Sequence, residues 1–367
     1  MKPPDTAHLA DLQTLLRAVR TPVTLNEAGW DRLLRLARMS GLHARVAAVH
    51  LDQPDVPERV RRHLLSAARM AKFRDQMLRA ELASVHALCD DSFPVLVLKG
   101  GAYLLQGRTA AQGRFVSDAD LLVPRSHLRI MEDRLRAAGW QSAALDPHDE
   151  RYYRDWSHET PPLRHPGRFL ELDLHHAITP VTGSLSFDPQ PLFDASEAIP
   201  GTPLRAPCPE DQILHACVHC FHDGDFDLRV REVVDIAMLL NEFSAQSGFW
   251  ERLGVRAREL GLQRPLWYGL TFAHAWLQVP LPPTALATLP APSTFAQAAM
   301  DALVPRAMLP GDPDRPPARA ARLARTALLA RYHWLRMPMR LLLPHLARKS
   351  WRRLRARANA DSDAAKP

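Results

Sequence analysis

Lysine is scarce in this chain. Of its 47 basic residues only five are lysine, namely Lys2, Lys72, Lys99, Lys349 and Lys366. A lysine set beside glycines in so arginine-rich a chain is hard to read as a random basic choice, and it suits a compact phosphate contact, for which the two cations are not equivalent. Cysteine is scarce too. Cys89, Cys208, Cys217 and Cys220 in 367 residues make no disulfide framework, so reduced thiols are expected. There is no apolar run of about 18 residues to span a bilayer, and no apolar stretch behind a basic region near the start. Together these absences predict a cytoplasmic protein.

A net positive charge is absent where a nucleic-acid-binding body would need it. The net +7 is carried by residues 315–367, where twelve arginines and two lysines stand against two aspartates, and residues 1–314 come out at −5. An acidic body argues against nucleic acid as the main substrate, and any attraction to polyanions belongs to the tail.

Four regions follow from the pattern: an N-terminal helical region (1–92), a core with strands (93–205), a second helical region (206–310) and a basic Arg-rich tail (311–367). In the first, Thr24-Leu25-Asn26-Glu27 has the form of a capping box, and Trp30, Leu33, Leu34 and Ala37 follow at helical spacing. A longer helix from Glu58 to Cys89 places Leu64, Leu65, Phe73, Met77, Leu78, Leu82 and Val85 for packing.

The informative stretch runs from Pro94 to Val123. Val95 to Leu98 reads as a buried strand, and Lys99-Gly100-Gly101 follows, where a glycine pair lets backbone N–H groups approach a phosphate. A short helix is expected over 102–106, with Arg108 and Arg114 in the connection after it, either of which could touch a phosphate or sit in water. Ser117-Asp118-Ala119-Asp120-Leu121-Leu122-Val123 then alternates with period two, so Asp118 and Asp120 leave one face of a strand together. Two carboxylates held that close repel, and Mg²⁺, shared with substrate phosphates, is the usual remedy.

Further on, Tyr152 and Tyr153 could open another strand. Leu170, Leu172 and Leu174 alternate with Glu171, Asp173 and His175, which predicts a half-buried strand presenting Asp173 as a third carboxylate. His215, Cys217, His219, Cys220 and His222 could bind zinc by residue type, although their spacing matches no standard four-ligand pattern. Arg229, Arg231 and Asp235 read as an ion-paired helix surface. The stretch from Val279 to Ser293 is a proline-rich connector. The tail, residues 315–357, mixes arginines with Leu323, Leu328, Leu329, Trp334 and Trp351, and fits either a helix docked on the body or a peripheral contact at an anionic membrane face.

These motifs resemble those of the DNA polymerase beta-like nucleotidyltransferase superfamily. More narrowly, Leu98-Lys99-Gly100, Arg114 with Ser117 to Val123, and Glu171 to His175 resemble an uncharacterised bacterial nucleotidyltransferase family, over most of residues 25–240. The chain departs from many superfamily members, which carry Gly-Ser and a shorter gap, in having Gly100-Gly101 and sixteen residues before Asp118.

The resemblance implies an α+β fold, a small mixed sheet flanked by helical regions, and an Mg²⁺-dependent enzyme moving a nucleoside monophosphate from an NTP, ATP first, to a hydroxyl of a small molecule, peptide or protein. Asp118, Asp120 and Asp173 would be the catalytic and metal-binding residues of a two-metal site, and Lys99, Gly100, Gly101, Arg114 and Ser117 would meet the nucleotide. Two other readings stay open. One is a nucleotide-binding regulatory module without turnover; the other is an adaptor for membranes or polyanions acting through the tail.

Overall fold

The computed structural model describes residues 6–142, 152–226, 229–338 and 340–342. Four helices come first: α1 (Thr6–Ala18), α2 (Glu27–Met39), α3 (His43–His50) and α4 (Glu58–His86). Helix α2 buries Trp30, Leu33, Leu34 and Ala37, the stripe its spacing predicts. Its cap differs from the predicted box: Asn26, in an extended conformation, accepts a hydrogen bond from Gly29 N at 2.9 Å. An asparagine carboxamide one residue before the helix reaches the third N–H, and Thr24 is too far upstream to do so. Helix α4 buries Leu64, Leu78, Leu82 and Val85, whereas Leu65 and Phe73 lie exposed. They fall off the single stripe that faces the core.

Among the described residues the sheet has seven strands: β1 (Leu96–Val97), β2 (Asp118–Leu122), β3 (Gln141–Ser142), β4 (Leu163–Arg164), β5 (Glu171–His175), β6 (Glu197–Ala198) and β7 (Arg205–Ala206). Their spatial order is β3-β4-β5-β2-β1-β7-β6, so β2 is central. It pairs antiparallel with β1 and parallel with β5 over all five residues, and β1 pairs parallel with β7. The mixed sheet expected from the sequence is therefore present. Tyr152 and Tyr153 do not open a strand. They lie in a π-helical turn, Tyr152–Trp156, because no alternation follows them to support a ladder.

Helix α5 (Lys99–Leu105) leaves β1 directly, starting one residue before the glycines, and α6 (Leu128–Ala137) follows β2. After α7 (Gln190–Asp194) come α8 (Pro209–His222), α9 (Val230–Phe243), α10 (Phe249–Glu259) and α11 (Gln263–Leu277). Helix α8 packs on α9 and α11 and touches α5, which brings the second helical region against the glycine turn. The proline-rich connector contains a short helix, α12 (Pro283–Ala287), and α13 (Thr294–Met308) and α14 (Arg319–Arg336) form a pair. One continuous apolar cluster extends from Leu12 to Leu328 through the helices and both faces of the sheet.

Of the predicted basic tail, α14 is described and docks through Ala324, Leu328 and Tyr332, leaving Leu323 and Trp334 exposed. Residues 343–367, with Trp351 and half of the tail's basic residues, lie outside the described residues. No helix among the described residues is long and apolar enough to cross a membrane.

Candidate active site

The site is built by register. In the β2–β5 pair, Asp118 faces Glu171 and Asp120 faces Asp173, and parallel partners share a face of the sheet. Asp118, Asp120 and Asp173, 55 residues apart in the chain at the extremes, therefore rise from the same side at the centre of the sheet. The same alternation sends Ala119, Leu121, Leu172 and Leu174 into the core, where all four are fully buried. Ser117, at the strand's entrance, is exposed and donates its hydroxyl to Asp118 Oδ1 at 3.2 Å.

Lys99 comes to this face from the β1–α5 corner. Leu98 N still bonds Asp120 O across the sheet at 3.0 Å, and the chain then turns at Lys99 with φ of 45°, a left-handed conformation uncommon for a residue with a side chain. The turn aims the ammonium at Asp120, with Nζ 2.8 Å from Oδ1. His175, the last residue of β5, places Nε2 3.0 Å from the same oxygen. Burial alone would raise the Asp120 carboxyl, but Lys99 and His175 outweigh it and hold the group well below the usual carboxylate range. For Lys99, burial would lower the ammonium, and Asp120 with Asp118 outweighs that and raises it.

Asp173 has no hydrogen-bonded cation beside it among the described residues, and only the charge of His175 works against the rise. Burial, then repulsion from Asp120, pushes it up to about 7, with Asp118 and Glu159 adding to the rise. This crowding of oxygen ligands is the environment that a hard divalent cation relieves, so the donor set fits Mg²⁺.

The glycines have a packing reason of their own. A Cβ on Gly100 would lie 2.3 Å from Arg114 Nη1 and 3.0 Å from Val116 Cγ2, and one on Gly101 would lie 2.6 Å from Val97 Cγ1. Both sit in the first turn of α5, where N–H groups lack an intrahelical acceptor. Arg114 is placed by neither of the alternatives its sequence position suggested. Its Nε donates to Asp235 Oδ2 at 2.8 Å, and Arg45 binds the other carboxylate oxygen of Asp235. Arg45 and Asp235 are almost completely buried, so this triad bolts α3, the loop before β2 and α9 together. Arg108 pairs with Glu242 and lies over the Phe243 ring.

Two further readings are corrected here. The segment from Arg229 to Asp235 is not an ion-paired surface: Arg229, Glu232 and Asp235 are all buried, with Arg229 Nη1 2.8 Å from Glu232 and His219 Nδ1 2.9 Å from the same carboxylate. Polar spacing on a helix looks alike whether the polar face meets water or another polar helix. The five His and Cys residues of α8 also diverge. Cys217 packs against Gly269 and His219 bonds Glu232. His215 is buried on the Lys99 side, where burial and then Lys99 hold its imidazole neutral.

His158 and Glu159 gave no signal in the sequence, since they stand in no periodic segment. Glu159 forms a bridge with His175 at the end of β5. Among the described residues, the group of potential metal ligands whose donor atoms all lie within 4.8 Å of one another is His158, Glu159 and His175. Asp120 joins it through His175.

A family model described as uncharacterised nucleotidyltransferase matches residues 26–278, and the chain belongs to that family. The match spans α2 to α11, taking in every residue of the site above. No curated protein and no solved structure matches the chain.

Proposed function

We propose that this member of a nucleotidyltransferase family transfers a nucleoside monophosphate from an Mg²⁺-bound NTP, ATP first, to a hydroxyl of a small molecule or peptide. The observation that carries this reading is the five-residue parallel register of β2 and β5, which sets Asp120 beside Asp173 with Asp118 one pleat away. Asp118, Asp120 and Asp173 would hold the metal, which when bound neutralises phosphate charge and lowers the pKa of an acceptor hydroxyl.

The chain's own groups do the rest. Lys99, already at the oxygen of Asp120, is the cation nearest to where a triphosphate would lie, and its stem is fixed by the left-handed turn. His175 orients Asp120 from the other side. Asp173 faces the acceptor, orients its hydroxyl and takes its proton as the oxygen bonds the α-phosphorus. The bond from that phosphorus to the bridging oxygen breaks, and pyrophosphate leaves with the electron pair. First-turn N–H groups of Gly100 and Gly101 and the hydroxyl of Ser117 are offered to the phosphates. The acidic body favours a small acceptor over nucleic acid, and the exposed Leu323 and Trp334 of α14 would serve a peripheral membrane contact continuing into the basic residues.

The test is transfer of label from α-labelled NTPs to components of a cell extract, with pyrophosphate release measured in parallel. Asp118→Asn is the variant of choice, since Asp118 is half-buried and, among the described residues, its carboxylate accepts a hydrogen bond from Ser117 alone. We expect pyrophosphate release to fall by at least about a hundredfold, the scale on which metal-assisted charge stabilisation acts, with an unchanged circular dichroism spectrum. Turnover at the wild-type rate would remove the site. Calorimetric binding of NTP and Mg²⁺ without pyrophosphate for any acceptor would replace the enzyme with a nucleotide-binding module.

A further inference from the structure

On the far edge of His175, away from the aspartates, lies a second group of donors. The ring presents Nε2 to Asp120 Oδ1 at 3.0 Å and Nδ1 to Glu159 Oε2 at 3.6 Å. The second distance is too long for a hydrogen bond. His158 adds its Nε2 at 3.7 Å from the same Glu159 oxygen, with its ring centroid 5.5 Å from that of His175. His175 is 2 % exposed, yet its Nδ1 has no hydrogen-bond partner among the described residues. A buried imidazole nitrogen left unbonded is costly and calls for an occupant.

We propose that His158, Glu159 and His175 form a site for a first-row transition-metal ion, Zn²⁺ by its donor chemistry, distinct from the Mg²⁺ site of the aspartates. Donors about 2.0–2.1 Å from a tetrahedral Zn²⁺ stand about 3.4 Å apart; the two separations to Glu159, 3.6 and 3.7 Å, lie within a few tenths of an ångström of that spacing, and all three donors lie within 4.8 Å of one another. Two imidazoles and one carboxylate select against Mg²⁺, which prefers all-oxygen ligands. Three protein ligands leave the fourth position open.

As a ligand, Nδ1 of His175 would carry no proton, and Nε2 would keep one and donate it to Asp120. This is the carboxylate–histidine–metal arrangement that fixes ring and tautomer together. The surrounding charge also admits a cation. Glu159, Asp120 and Asp118 gather around Asp173, and Asp120 and Glu159 around His175, against Lys99 and Arg336 on the His158 side. The ion would thereby hold in place a side chain that orients Asp120, without itself touching the nucleotide.

The test uses the full-length chain, stripped with a chelator and dialysed against Co²⁺ in a large excess of Mg²⁺ that fills the aspartates. We expect one Co²⁺ retained per chain with a visible spectrum of nitrogen ligation. His158→Ala and Glu159→Gln should each weaken binding by at least about tenfold, and Asp118→Asn should leave it unchanged. Zn²⁺ should raise the melting temperature of the wild type and not of Glu159→Gln, a variant that keeps the side-chain volume. The proposal is overturned if Co²⁺ is not retained against Mg²⁺, if folded His158→Ala and Glu159→Gln bind as well as wild type, or if Asp118→Asn loses the ion. Should both ligand variants fail to fold, a wild-type Co²⁺ spectrum without nitrogen ligation overturns it alone.

Discussion

Lys99 carries two separable energies, one in its backbone and one in its ammonium. With φ of 45° it occupies a left-handed conformation that costs a side-chain-bearing residue about 1–2 kcal/mol and costs glycine almost nothing. Its Nζ is the 2.8 Å partner of Asp120, with side chains 15 % and 5 % exposed. Removing one partner of a buried pair costs about 3–5 kcal/mol, and the lower end applies here because Asp120 keeps His175. Lys99→Ala should therefore lose about 3 kcal/mol in urea denaturation. Lys99→Gly loses the same ion pair but sheds the backbone cost, so it should be the more stable of the two by about 1 kcal/mol.

Millimolar Mg²⁺ should restore more stability to both variants than it adds to wild type, because a cation then replaces the ammonium beside Asp120. Equal midpoints for the Gly and Ala variants would refute the left-handed corner. Wild-type stability in both would refute the ion pair.

Asp235 binds Arg45 and Arg114 at once in a nearly water-free setting, so Asp235→Asn should cost about 3–5 kcal/mol, measured by thermal or urea unfolding. An effect below about 1 kcal/mol, the size for a surface pair, would show the triad to be solvated. Acid should also destabilise the protein through histidines held neutral. Burial, then Arg331, lowers His222 to about 3, and burial, then Arg125, lowers His176 to about 4. Unfolding lets both rings protonate near pH 6.5, so their contribution to stability is complete above that pH and drains away as pH falls toward 4 and then 3. Melting temperatures between pH 8 and 4 should show this slope, and His222→Gln should flatten it; an unchanged slope would clear His222 of the role.

Much of the site could be read from the chain because its strands alternate cleanly. Leu121, Leu172 and Leu174 are apolar for the core, which forces Asp118, Asp120 and Asp173 to the opposite face, and the register then joins them. The first helices were legible for the same reason, through the stripe of Trp30, Leu33, Leu34 and Ala37. The partners of Arg114 and of the segment from Arg229 to Asp235 could not be read from the chain, because a polar residue on a helix or loop carries no sign of what it will face. Those partners lie as far away as 190 residues in sequence.

The sequence by itself determined the elements and the face of each strand, since period and turn chemistry act between near neighbours and need no distant partner. Only the tertiary structure decided that the ammonium of Lys99 and the ring of His175 would meet on one oxygen of Asp120, and that His158 and Glu159 would stand behind that ring. Those encounters depend on strand order and on helices closing over the sheet, so they exist only once remote segments share the same few ångströms.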